Sequence, residues 1–205
     1  WTPASCATRA SQAGPCRPLT DEELARLRAF FQRQPRELAL MEVMLSSARV
    51  GEALALKVAD VWDFARNDVK TNADGTAIIP IHGEKGDFGS LLLTPQAIAA
   101  LRAWLKGLPL CPDAPVFPSG QTREAVSDCR ARQIFVAAFR ELGLVGQLST
   151  HAFRHTWAQK MADAGMSAMW LMQAGRWRSI ESVLSYVRFS ANKQALQVAQ
   201  IMQSA

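Results

Sequence analysis

Two short extended runs interrupt an otherwise helical chain, and they limit the folds open to it. Thr76-Ala77-Ile78-Ile79-Pro80-Ile81-His82 and Ser90-Leu91-Leu92-Leu93 read as strands, and Gly83-Glu84-Lys85-Gly86-Asp87-Phe88-Gly89 joins them as a glycine-rich hairpin connection. Asn72-Ala73-Asp74-Gly75 punctuates a further strand before them. The expected class is α+β, mainly α, with a small antiparallel three-stranded sheet set among helices.

Helical signals flank this region on both sides. Thr20-Asp21-Glu22-Glu23 is a capping box, in which hydroxyl and carboxylate each satisfy the other residue's backbone N–H. The helix it opens carries Leu24, Leu27, Phe30 and Phe31 on one face. A second helix begins near Arg36, buries Leu38, Leu40, Met41, Met44 and Leu45, and breaks at Ser46-Ser47-Ala48. Thr94-Pro95 restarts helix with proline at the first helical position. Further helices are expected over 126–142, over 150–164 closed by Gly165, over 168–174 ending at Gly175, and from Ser179 to about Tyr186. The 190–203 tail repeats apolar residues at helical spacing. Residues 1–18, rich in Ala, Ser, Thr and Pro, read as a tail or interdomain linker ahead of one domain over 19–205. Opening on Trp1 rather than Met suggests a piece of something longer.

The net charge of +5 is unevenly spread. Residues 1–120 hold 13 Lys+Arg against 13 Asp+Glu, whereas residues 121–205 hold 10 against 5. A basic half suits a phosphate backbone, and it offers Lys160, Arg176 and Arg178 as DNA-contacting candidates. The four cysteines show no C-x-x-C spacing, which argues against both a zinc site and a disulfide framework and for free thiols in a reducing cytoplasm. His151 and His155 stand four apart, but the glutamate of an H-E-x-x-H metal motif is missing. No apolar run reaches the length of a membrane span.

The basic half also holds the chain's one tyrosine, Tyr186, nine residues after Trp177, and the box His151-Ala152-Phe153-Arg154-His155. A phenol, imidazoles and guanidiniums are complementary tools for attacking a phosphodiester. A phenol of pKa about 10 stays protonated at neutral pH, so it needs a cationic field and a proton acceptor. Arg49 and Arg154 can each present a planar fork to phosphate oxygens. Lys85, in its glycine-flanked turn, suits a general acid for a poor alkoxide leaving group, and the Trp177 indole can only donate. Taken singly, each residue has an ordinary reading: Arg49 with Glu52 as a helical ion pair, Lys85 as a solvated turn, His155 as structural, Trp177 as core.

Together and in this order, the groups resemble the catalytic domain of the tyrosine recombinases, the phage-integrase family. Arg49-Val50-Gly51-Glu52 matches its arginine and following glutamate, Lys85 its hairpin lysine, His151, Arg154 and His155 its His-x-x-Arg-His box, and Trp177 with Tyr186 its His-or-Trp and nucleophile. The resemblance implies that Tyr186 forms a 3′-phosphotyrosine on double-stranded DNA, with Glu52 and His155 supporting the site and His151 exchanging a proton with the phenol. It implies no cofactor, metal or ATP, a DNA-associated bacterial or phage protein, and a homotetramer on DNA that can be a monomer when free. The 190–203 stripe is then a candidate for packing on a neighbouring protomer, or for folding back on its own domain. Two patterns depart from the family: Ser47-Ala48 stands where Gly-Leu is common, and Gly175-Arg176-Trp177 where Leu-Gly-His is common. Most members also carry an N-terminal helical domain that clamps the DNA, which residues 1–18 cannot supply. A type IB topoisomerase-like relaxing enzyme and an idle DNA-binding module of the same fold remain open alternatives.

Overall fold

The computed structural model describes residues 16–82, 88–120 and 124–204. Helix α1 (Asp21–Phe31) starts at the expected box: the Glu23 N–H donates to the Thr20 hydroxyl at 3.2 Å, and the Thr20 N–H donates to the Glu23 carboxylate at 2.9 Å. It buries Leu24, Leu27 and Phe31 against α2 (Pro35–Met44), whose residues from Ala39 to Met44 are all buried. One of them, Glu42, is charged, and the Arg28 guanidinium of α1 reaches it at 2.6 Å. The chain then reverses through Ser47, whose φ of 80° is in the left-handed region, into the short helices α3 (Val50–Leu54) and α4 (Val58–Val61).

Strands β1 (Trp62–Asp63) and β2 (Asp68–Val69) pair antiparallel with each other, as do β3 (Ala77–His82) and β4 (Phe88–Leu93). Among the described residues the sheet is therefore two separate two-stranded ribbons, not the three-stranded sheet expected. The cause is the tight turn at Asn72, where the Asn72 N–H bonds the Thr76 carbonyl at 2.7 Å and Gly75 takes φ 82°. β2 ends before that turn and has already found β1. In β3, Ile79 and Ile81 point into the core and Ile78 points out, the two-residue alternation of a half-buried strand. Pro80 lacks a ladder donor and is tolerated because a two-stranded ribbon has only edge strands.

Helices α5 (Pro95–Leu105), α6 (Asp128–Glu141), α7 (His151–Asp163), α8 (Ala168–Gly175) and α9 (Glu181–Ser204) complete the chain. Thr94, Ser127 and Ser167 cap α5, α6 and α8 with their hydroxyls. The segment bearing Tyr186 and the tail beyond Ser190, expected as separate pieces, form the single helix α9. No glycine or proline interrupts it, and the buried Ser190 hydroxyl donates to the Ala162 carbonyl of α7 at 3.1 Å, so the helix runs through that point. Among the described residues, no helix is long and apolar enough to cross a membrane.

The apolar side chains form two clusters, and α7 belongs to both. Its Ala152 and Phe153 join the large core, where Phe153 meets Phe135 edge-on at 5.1 Å between ring centroids. Its Ala158 and Ala162, four and eight positions beyond Arg154, join a small cluster with Leu171, Val183 and Tyr186. Arg154 lies where the two clusters meet.

Candidate active site

Arg49 stands just before α3 in extended conformation, and its backbone N–H donates to Glu52 at 2.7 Å while its guanidinium bonds the same carboxylate at 2.5 Å. The Glu52 side chain is almost fully buried, whereas that of Arg49 is 44% exposed, so the guanidinium is anchored at one edge and open at the other. Burial pushes the Glu52 carboxyl up, but donation from the Arg49 backbone and the charges of Arg176 and Arg49 outweigh it and hold the group below its usual range.

Arg154 is buried on α7 and donates to two carbonyls, Ser47 at 2.6 Å and Gly175. These bonds fix the fork between the α2–α3 turn and the end of α8. The Trp177 ring covers the guanidinium at 4.3 Å. Desolvation first, then the charges of Arg49 and Arg176, lowers its pKa to about 10, which still leaves it cationic at neutral pH. Gly175 makes this packing possible, because a Cβ there would run into the Trp177 ring. The helix ends at Gly175 as expected, and the left-handed residue that follows it is Arg176 (φ 57°).

Tyr186 sits in the second turn of α9, 8% exposed, with its hydroxyl on Nδ1 of His155 and its ring 6.1 Å from that of Trp177. Burial, reinforced by Cys16 and opposed by Arg154, pushes the phenol up to about 12. The His155 imidazole is held below its ordinary value by burial, then by His151 and Arg154, so it is neutral at pH 7 and can accept the phenolic proton in the tautomer that leaves Nδ1 bare. His151, which the sequence placed as the tyrosine's proton partner, is exposed at the first position of α7. Desolvation and the charges of Arg132, Arg154 and Arg49 lower its pKa as well. The phenol meets the second histidine of the box because α9 packs one turn further along α7.

Arg49, Glu52, Arg154, His155, Trp177 and Tyr186 thus join one connected network. Lys85 falls outside the described residues. Arg176, expected on the DNA, turns inward to Glu52 at 2.8 Å. Lys160 is exposed and pairs with Asp21 at 2.6 Å, and Arg178 is exposed. Sequence reasoning missed Trp157, stacked on Trp177 at 6.2 Å, and the Ser47 carbonyl. Trp157, three residues after Arg154 and therefore on its helix face, carried a readable signal; a carbonyl acceptor carries none. Among the described residues, no group of three His, Cys, Asp or Glu side chains could hold a metal ion.

Comparison with known families gives a name to this helical domain with its cluster of two arginines, a histidine and a tyrosine. The family model described as phage integrase family matches residues 17–193, and the chain belongs to that family. Among curated protein sequences none matches it. Among solved structures it resembles the XerA recombinase (TM-score 0.72, 21% identity, covering 96% of this chain and 66% of that one). It also resembles the XerH site-specific recombinase bound to palindromic difH substrate in a post-cleavage complex (TM-score 0.71, 21% identity, 92% and 54%). A third likeness is to a lambda integrase dimer bound to a COC′ core site (TM-score 0.62, 19% identity, 88% and 51%). At these identities the shared property is the fold, and this chain spans about half to two thirds of each of those chains.

Proposed function

We propose that this chain is the catalytic part of a site-specific DNA recombinase that cuts and rejoins strands through Tyr186. The observation that carries the reading is the placement of the phenol on a neutral imidazole beside a buried, tryptophan-covered arginine, with a second arginine reaching outward on the shared network. Once off His155, Tyr186 Oη attacks phosphorus as its proton passes to His151, the imidazole that the family resemblance pairs with it. The bond to the deoxyribose 5′ oxygen breaks, and that oxygen takes a proton from Lys85 acting as general acid. A 5′ hydroxyl from a partner strand then attacks the phosphotyrosine and releases the phenol, so the phosphodiester energy is conserved without ATP.

Arg49 and Arg154 stabilise the charge that grows on the non-bridging oxygens, where one preorganised donor is worth roughly 10²–10³ in rate. Their guanidiniums and Lys85 supply that stabilisation from the protein itself. The phenol's burial makes the described arrangement a resting one, from which Tyr186 must leave His155 to reach phosphorus. Strand exchange between two duplexes calls for a homotetramer on DNA. The likeness to the XerH recombinase bound to difH substrate and to the lambda integrase bound to a COC′ core site supports double-stranded DNA as the partner.

The test uses a nicked suicide duplex, selected with the wild-type chain from a random-sequence pool. Wild type is expected to form a covalent protein–DNA adduct and Tyr186→Phe none. An adduct that persists with phenylalanine, or tight binding with no adduct from wild type, overturns the reading. Plasmid relaxation without strand exchange would instead place the chain among relaxing enzymes.

A further inference from the structure

We infer that Arg176 is a positioning residue that sets both phosphate-gripping arginines, rather than a DNA contact; the inference rests on the proposed recombinase chemistry. Its side chain is only 18% exposed. One guanidinium nitrogen donates to Glu52 at 2.8 Å and to the Ser47 carbonyl at 3.2 Å, and the other lies 3.4 Å from both the Ser47 hydroxyl and the Ser90 carbonyl of β4. The stem passes so close to β4 that a Cβ on Gly89 would stand 2.9 Å from its Cδ. Among the described residues, Nε is buried with no hydrogen-bond partner. A side chain kept for the DNA backbone has no reason to accept that desolvation.

The partners Arg176 holds are those of the other two arginines. Glu52 also anchors Arg49, and the Arg176 carbonyl itself accepts from Arg49 at 3.1 Å. The Ser47 carbonyl also receives Arg154 at 2.6 Å. Ser47 and Arg176 are two non-glycine residues in left-handed conformation, and they face each other across these bonds. Such conformations persist where the surroundings over-determine them. The fork of Arg176 therefore ties the α2–α3 turn, β4 and the α8–α9 connection into one frame on which both arginines rest. Losing it leaves the buried Glu52 with a single guanidinium and lets Arg49 and Arg154 drift.

Arg176→Gly suits the backbone, since glycine adopts φ 57° without strain, and removes the fork together with its stem. The expected result is a fall of about 10²-fold in the cleavage rate constant, the scale set by a misplacement of about 1 Å. Duplex affinity and its salt dependence should stay within about twofold, whereas loss of a phosphate contact would lower the salt slope by about one. Arg176→Lys restores charge without the fork and should remain slow. Wild-type cleavage by Arg176→Gly, rescue by lysine, or a weakened, flatter salt dependence each overturns the inference while leaving the recombinase reading intact. If the wild type forms no adduct at all, the functional reading falls, and a thermal-denaturation cycle of Arg176→Gly with Glu52→Gln still judges the network. Non-additive shifts in Tm are expected, and additive ones sink it.

Discussion

Tyr186 is the chain's one tyrosine, so tyrosinate absorbance reports this site alone. Its midpoint is expected near 12 in the folded protein and near 10 after denaturation. Between those values the unfolded chain releases the phenolic proton and the folded chain keeps it, so the phenol's contribution to stability falls as pH rises through that window and is constant below it, against an opposite slope from Arg154, whose pKa is lowered to about 10. Tyr186→Phe removes this alkaline loss; an unchanged profile would mean the phenol is not buried as described. The two histidines act with the opposite slope. Both are held below 6.5, so the unfolded chain binds more protons there and stability falls as pH drops through that region. At this scale the sequence singled out Arg49, Arg154, His155, Trp177 and Tyr186, which the fold brings into one network, because a lone phenol and paired arginines advertise their chemistry. It expected Arg176 on the DNA and His151 at the phenol, whereas Arg176 turns to Glu52 and His155 meets the phenol, because the direction of a side chain depends on tertiary neighbours.

The elements divide in the same manner. The α1 capping box and the β3–β4 hairpin were readable because caps and alternation are local rules. The missing third strand and the unbroken α9 were not, since strand pairing and helix continuation are settled by what the segment packs against. α9 supplies the sharper check. Ser190→Pro should cost about 3 kcal/mol or more in chemical denaturation and lower the helical circular dichroism, because proline interrupts a helix interior. Two helices separated at that point would tolerate it, and near-wild-type stability would show that the joint is real.

Over the whole molecule, Arg49, Arg154 and Tyr186 lie across a large apolar core and a small one that meet along α7. The small cluster buries Ala158, Ala162, Leu171, Val183 and Tyr186, far less apolar surface than the large core, so α8 and α9 should open more readily than α2 and α6. Amide hydrogen exchange is expected to show lower protection in α8 and the first turns of α9 than in α2. Equal protection across all four helices would mean a single cooperative unit and would remove the physical basis for a tyrosine that can leave its resting place.

The sequence by itself determined the helices, the hairpin, the basic C-terminal half and the inventory of groups able to attack a phosphodiester, since all of these follow from spacing and side-chain chemistry. Tertiary structure decided that Glu52 is shared by Arg49 and Arg176, that Arg154 lies beneath Trp177, and that His155 rather than His151 holds the phenol. Those choices follow from how α7, α9 and the Ser47 turn dock, which joins Ser47 to Arg154 and Glu52 to Arg176 across more than a hundred positions and His155 to Tyr186 across 31.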